Sequence, residues 1–395
     1  MRALILVIDA FGIGALPDAS RYGDDGADTL RSVCLAETQL DQVQWPTLLA
    51  MGLGNSKTLL GAEIANCAPV PHPTALCGVM AERSTGKDTT TGHWELAGLV
   101  LEQGFHTFVP DFPSFPKELV SRFETETGYT LIGNRSASGT AIIEEFGVEQ
   151  MMGKRVICYT SADSVFQIAA HEEVVRLEQL YQICETARTI CDDYRVARVI
   201  ARPFTGTPGN FTRTAGRHDY SIALPGPTVL DRLQEHNIET IGIGKIGDIF
   251  NQQGVSLSYP DKGNAECLQR VDDLLSDVSL QDQLLFVNLV DTDMLYGHRR
   301  DAEGYYRAIC AIDRFLPKIC KQLNADDLLI ITADHGCDPS FSGTDHTREY
   351  VPLLVYRPGL QGSDLGIRNS FCDVAATIAD FFGIKNERGN SVLNC

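Results

Sequence analysis

Asp and His residues recur in this sequence at the ends of apolar runs, where they can act as metal ligands. ALILVI (3–8) runs into Asp9. LLFVNLV (284–290) runs into Asp291 and Asp293, and His298 follows Asp293 by five residues. LLIIT (328–332) runs into Ala333, Asp334 and His335, and His346 follows in TDHTRE. An Asp after a strand is also a common turn or N-cap residue, and a lone His is more often a surface or satisfied core residue. Taken jointly, these positions favour a two-metal site. Mixed Asp and His donors suit Mn, Zn or Fe better than Ca or Mg. Two ions about 4 Å apart clamp the attacking and leaving oxygens of phosphoryl transfer.

GKDTTTGHWE (86–95) offers a nucleophile. A Thr at the start of a helix faces the positive end of its dipole, which favours an anion such as a phosphorylated hydroxyl. A hydroxyl is a weak nucleophile until a base or metal activates it. The alternative is a turn of β-branched residues with one Thr as N-cap. Residue type alone does not choose between Thr89, Thr90 and Thr91.

The elements that must position these groups are short. Residues 3–8, 240–244, 284–290, 328–332 and 352–356 read as buried parallel strands. The stretch 301–323 reads as an amphipathic helix, with Pro317 predicting a kink or break. Strand, helix, strand implies a right-handed crossover and an α/β sheet, whose sites form beyond the carboxyl ends of its strands. In the middle of the chain, 155–160 and 196–201 read as strands with a helix at 177–190 between them. This predicts a separate α/β unit at 101–222, flanked by Gly- and Pro-rich segments. It would be inserted into a discontinuous core of 1–100 and 223–395.

Composition narrows the partners. With 33 Lys and Arg against 52 Asp and Glu, the formal charge of the 395 residues is −19. That disfavours nucleic acid or an anionic membrane. It leaves open a small phosphorylated substrate, because bound cations reverse the local field. The 12 cysteines show no C-x-x-C pair and predict reduced, buried thiols. Cys337, two residues after His335, raises a question of oxidation or adventitious metal binding beside simple packing. MRALILVIDAFG lacks the h-region of a signal peptide, and no run reaches the ~20 apolar residues of a membrane span. A cytoplasmic protein is expected.

Longer motifs carry a resemblance. VIDAFGIGALPDA, STGKDTTTGHWE, SADSVFQIAAHEE, RPFTGTPGNFTRT, NLVDTDMLYGHRRD and ITADHGCDPSFSGTDHTREYVPLL are similar to those of phosphopentomutases, in the alkaline-phosphatase superfamily. The resemblance implies an alkaline-phosphatase-like core, with a mainly parallel sheet between helices, and an inserted α/β cap at 101–222. It implies Asp9, Asp334 and His335 as ligands of one metal, and Asp293, His298 and His346 as ligands of the other. Asp293 is chosen over Asp291 on the family's spacing to the histidine. It implies Thr89 as nucleophile, and Ser161, Asp163, Arg202 and Lys245 as the residues that hold the sugar phosphate. The implied cofactors are two divalent ions, Mn2+ by family expectation, with a sugar bisphosphate of the glucose 1,6-bisphosphate type as activator. The implied reaction interconverts 1- and 5-phosphates of ribose or deoxyribose in nucleoside and pentose phosphate catabolism. The related cofactor-independent phosphoglycerate mutases use a serine nucleophile, and GKDTTT has none after Lys-Asp.

Overall fold

RALILVI buries every residue from Ala3 to Ile8, as an unalternating apolar run does when both faces of its strand are covered. The computed structural model describes residues 1–37, 41–161, 164–277 and 282–393. In chain order their strands are β1 (Arg2–Ile8), β2 (Leu76–Met80), β3 (Thr130–Ser136), β4 (Arg155–Thr160), β5 (Val165–His171), β6 (Arg198–Thr207), β7 (Asn210–Arg213), β8 (His218–Ser221), β9 (Glu239–Ile243), β10 (Leu257–Tyr259), β11 (Gln283–Leu289), β12 (Leu328–Thr332), β13 (Val351–Tyr356) and β14 (Asp364–Arg368). The chain divides into two compact units, 1–104 with 224–395, and 105–223.

The first unit holds an eight-stranded sheet ordered β10-β9-β11-β1-β12-β13-β2-β14. Pairing is parallel from β10 through β12 and again between β2 and β14. The fold is therefore α/β with a mainly parallel sheet, as expected. One expectation is corrected: β13, read as a parallel strand, runs antiparallel to both β12 and β2. A parallel return needs a crossover, usually a helix, and residues 333–350 between β12 and β13 contain none.

The break that Pro317 allows does not occur. The helix Ala302–Gln322 runs unbroken through it. Proline removes the N–H that would bond to the Asp313 carbonyl. The Thr47 hydroxyl donates to that carbonyl instead, at 3.4 Å. The Asp313 carboxylate in turn accepts from the N–H groups of Thr47 and Leu48, at 3.2 and 2.7 Å. It thus caps the helix Pro46–Met51, whose own N-cap residue, Trp45, makes no side-chain capping bond.

The second unit is a six-stranded sheet, β3-β4-β5-β6-β7, with β8 paired to β6. Side chains alternate across β4. Val156 and Cys158 pack with Leu119, Phe123, Leu180 and Ile183. Ile157 and Tyr159 pack with Ile142 and Ile143. Helices thus cover both faces of this sheet. The strand β5 has no counterpart in the sequence reading, because Gln167 and His171 interrupt the apolar run of VFQIAAH.

Among the described residues no helix is long and apolar enough to cross a membrane. The cysteines among them are free, and all but Cys320 are buried.

Candidate active site

Register places the site. In the β11-β1-β12 ladder, Ile8 lies opposite Leu289 and Val7 opposite Thr332. The next residues of each strand therefore leave the sheet at the same edge. Asp9 follows β1, and Asp334 and His335 follow β12. Beyond β11 the chain makes a π-type turn, Thr292–Gly297. Its i→i+5 bond runs from the His298 N–H to the Asp293 carbonyl, at 3.2 Å. That bond is why a spacing of five puts both side chains on one side. Asp291 is used elsewhere: its carboxylate accepts from the Asn264 N–H at 2.9 Å.

Among the described residues, three groups of donors each have their atoms within 4.8 Å of one another: Asp9, Asp334 and His335; Asp293, His335 and His346; and Asp293, His298 and Cys337. His335 Nε2 is 3.5 Å from Asp9 Oδ1 and 3.3 Å from Asp334 Oδ2. Asp293 Oδ1 is 3.4 Å from His298 Nε2 and 3.3 Å from His346 Nε2. The structure thus brings all six sequence-predicted ligand residues together.

The hydrogen bonds around this cluster fit metal ions. His298 Nδ1 is 2.6 Å from the Thr344 carbonyl, and His335 Nδ1 is 3.0 Å from the Gly336 carbonyl. Each Nδ1 must carry the proton, so each Nε2 turns a lone pair into the cluster. Asp9 Oδ1, Asp293 Oδ1 and Asp334 Oδ2 are buried and accept no hydrogen bond among the described residues. Buried acceptors facing one another without a donor are costly unless a cation lies between them. Oxygen and imidazole donors suit a first-row divalent ion.

The protein's own charges are unbalanced here. Burial, with Asp334 and Asp293 alongside, pushes the Asp9 carboxyl well above the ordinary carboxylate range. Burial also works to raise Asp334, but the neighbouring His335 and His93 outweigh it and hold the carboxyl at about 2. Burial lowers His335 from its ordinary value, toward the neutral form that a ligand needs. Lys245 is near enough to oppose the rise of Asp9.

Thr89 opens the helix Thr89–Leu96, capped by Asp88, whose carboxylate accepts from the Thr91 N–H at 3.1 Å. The Thr91 hydroxyl donates to the same carboxylate at 2.6 Å. Thr89 Oγ1 is left to face the cluster, 3.1 Å from His335 Nε2. The approach is close because Gly92 has no side chain: a Cβ there would lie 2.1 Å from the Asp334 carbonyl oxygen.

The remaining sequence-predicted residues fall as follows. Lys245 precedes the short helix Ile246–Ile249 in the first unit. Ser161 and Arg202 belong to the second unit, after β4 and within β6. Arg202 Nε donates to Gln167 Oε1 at 3.2 Å. Asp163 lies outside the described residues.

A family model for the metalloenzyme superfamily matches residues 1–386, and the chain belongs to that superfamily. Among curated proteins, the phosphopentomutase of Anaeromyxobacter dehalogenans is 52% identical over 393 residues, covering 99% of this chain and 98% of that protein. The phosphopentomutase of Carboxydothermus hydrogenoformans is 50% identical over 394 residues, with 99% and 98% covered. The chain belongs to the phosphopentomutase family, whose members are isomerases of the mutase type.

Several residues at the site escaped the sequence reading. His93 Nδ1 is 2.9 Å from the Thr89 carbonyl and 3.1 Å from Asp334 Oδ2. Asn288 Nδ2 donates to Asp9 Oδ2 at 2.9 Å and faces His93 Nε2 at 3.3 Å. His93 stands four residues after Thr89, on the same helix face, and Asn288 is the one polar residue in the apolar run 284–289. Those were the available signals. Lys87 bridges Asp24 and Asp345, at 3.1 Å each, and so ties the Thr89 loop to the residue before His346.

Glu95 has no such signal, yet it anchors the same loop. Its fully buried carboxylate accepts from the N–H groups of Arg83, Ser84 and Phe371 and from the Ser370 hydroxyl, at 2.6 to 3.1 Å. Glu95→Ala strands these four donors, the buried ones at about 1–3 kcal/mol each, and loosens the segment that precedes Thr89. Misplacing a reacting group by about 1 Å costs on the order of 100-fold. Steady-state kinetics are therefore expected to show kcat falling by about that factor with KM nearly unchanged. Glu95→Gln, which keeps one acceptor oxygen, should recover part of the loss. A KM effect alone would contradict a positioning role.

Proposed function

We propose that this enzyme interconverts the 1- and 5-phosphates of ribose and deoxyribose through a phosphothreonine at Thr89 and a sugar bisphosphate intermediate. The observation that carries this reading is the position of Thr89 Oγ1, at the start of a helix and 3.1 Å from His335 Nε2 in the donor cluster. Membership of the phosphopentomutase family supports the substrate class.

Asp9, Asp334 and His335 would hold one divalent ion, and Asp293, His298 and His346 the other, with Mn2+ the expected metal. When bound, the ions neutralise phosphoryl oxygens and the charge that develops on the Thr89 oxygen. The chain's residues set the geometry. Asp88 caps the helix and holds Thr91 back, so that Thr89 is the hydroxyl presented. His93 fixes the Thr89 carbonyl.

The Thr89 phosphate passes to the free hydroxyl of the incoming sugar monophosphate. The P–Oγ1 bond breaks as a P–O bond to the sugar oxygen forms, and the proton given up by the sugar hydroxyl ends on Thr89 Oγ1. The bisphosphate reorients and returns its other phosphate to Thr89. A sugar bisphosphate such as glucose 1,6-bisphosphate would prime the resting enzyme. Ser161, Asp163, Arg202 and Lys245 would hold the sugar phosphate, with Arg202 offering a planar fork to phosphate oxygens and Lys245 a point charge. In this reading 105–223 is the substrate-recognition cap, and the enzyme serves nucleoside and pentose phosphate catabolism in the cytoplasm.

The test is turnover of ribose 1-phosphate by Mn2+-loaded, bisphosphate-primed protein, with ribose 5-phosphate and inorganic phosphate followed together. The expected product is ribose 5-phosphate with little free phosphate. Free phosphate as the main product would make the protein a hydrolase. Neither product, from protein that holds two ions per chain, would overturn the substrate assignment.

A further inference from the structure

One donor at the cluster has no part in the reaction above. Cys337 is 1% exposed, and its Sγ lies with Asp293 and His298 in one group of possible ligand atoms within 4.8 Å. Its backbone N–H is held twice, by the Ala10 carbonyl and the Thr29 hydroxyl, both at 3.1 Å. Gly297 leaves room for the sulfur: a Cβ there would lie 2.9 Å from Sγ. His298 Nε2 points a lone pair inward because Nδ1 is committed to Thr344. Asp293 Oδ1 is buried and accepts no hydrogen bond among the described residues. The thiol donates to the Asp345 carbonyl at 3.7 Å and His298 Nε2 also faces His346 Nε2 at 3.1 Å, while the sulfur stays within 4.8 Å of donor atoms of both Asp293 and His298.

We propose that Asp293, His298 and Cys337 form a second seat for a divalent ion, selective for soft metals such as Zn2+ and Cd2+. The inference rests on the metal-centre reading above. A hard ion such as Mn2+ prefers oxygen and nitrogen donors, whereas thiolate sulfur draws soft ions. Asp293 belongs both to this group and to the one with His335 and His346, so the two seats compete for its carboxylate. An ion held by the sulfur is drawn away from His335, the histidine beside Thr89. Binding replaces the S–H bond with an S–metal bond and releases the proton to the buffer, so proton release accompanies loading.

The test is titration of the metal-free protein with Cd2+, followed by near-ultraviolet absorbance, beside calorimetric titration with Mn2+. Wild type is expected to develop a thiolate-to-cadmium charge-transfer band that saturates at a single equivalent. Cys337→Ser and Cys337→Ala should lack the band and bind Cd2+ at least ~10-fold more weakly, with Mn2+ affinity little changed. The same band in both variants would mean another cysteine is the donor, and the proposal would fall. Cd2+ bound to wild type without a band would also overturn it. Failure of the metal-centre reading has a different signature, the absence of Mn2+ binding by any of the three proteins. The cadmium band decides the thiol seat in that case as well.

Discussion

Thr89→Ala is expected to abolish mutase turnover, with kcat/KM at least ~10^4-fold below wild type, the loss that follows when a covalent nucleophile is removed. The three threonines differ sharply in what they touch, so the same substitution at each gives three different results. Thr89 Oγ1 faces His335. The Thr91 hydroxyl donates to the capping carboxylate of Asp88 and is fully buried. Thr91→Ala therefore costs about 1 kcal/mol of stability and leaves turnover measurable. For Thr90, half-buried, no hydrogen bond of the hydroxyl is seen among the described residues, and Thr90→Ala is expected to change little. The decisive measurement is mass spectrometry of the bisphosphate-treated variants. A phosphate adduct that survives in Thr89→Ala and disappears in Thr91→Ala would move the nucleophile two residues along the chain.

Metal binding should reverse the stability order of wild type and Asp9→Asn. In the metal-free protein, Asp9, Asp293 and Asp334 crowd one buried site with only imidazoles between them. Burial and the other two carboxylates already push Asp9 well above the ordinary carboxylate range. Asparagine keeps an acceptor for Asn288 Nδ2 and removes the titrating group, so the metal-free variant should melt no lower than metal-free wild type. Each ion bound at 100 times its Kd adds about 2.7 kcal/mol to wild type. The variant loses at least the increment of the Asp9 site, together with turnover. Melting curves with and without Mn2+, after chelation, measure both orders. A metal-free variant that melts far below metal-free wild type would show that the Asp9 carboxylate supports the fold without an ion, and would sink this account of the site.

Why some of this was legible in the sequence and some was not has a local explanation. Asp9, Asp334 and His335 follow buried strands directly, and a parallel ladder brings strand ends to one edge whatever the loops do. Asp293 and His298 were legible as a pair because their spacing is local, set within a single π-type turn. His93 and Asn288 were not, because their roles depend on how the Thr89 helix docks against the sheet. That docking is decided by one absent side chain, at Gly92. The unbroken helix at Pro317 was not legible because its relief comes from Thr47, 270 positions away in sequence. β13 misled because a buried apolar strand reads the same in either direction. Glu95 looked like an ordinary helical glutamate, and only the buried donors around it mark it as an anchor.

The order of strands has a consequence for synthesis. β1 leaves the ribosome among the first residues, yet its partners in the sheet are β11 and β12. At about 5–20 residues per second, the six buried apolar residues of β1 wait on the order of 15–60 seconds for β11. During that interval residues 105–223 emerge with every strand of their own sheet in hand. A nascent chain thus passes through a stage in which the middle can be folded while the two ends that carry the donor cluster are still apart. Ribosome stalling or premature termination after residue 223 and before residue 335 releases a chain with a complete insert, a sticky amino-terminal strand and an incomplete donor cluster. Such a fragment is a natural client for chaperones and proteases.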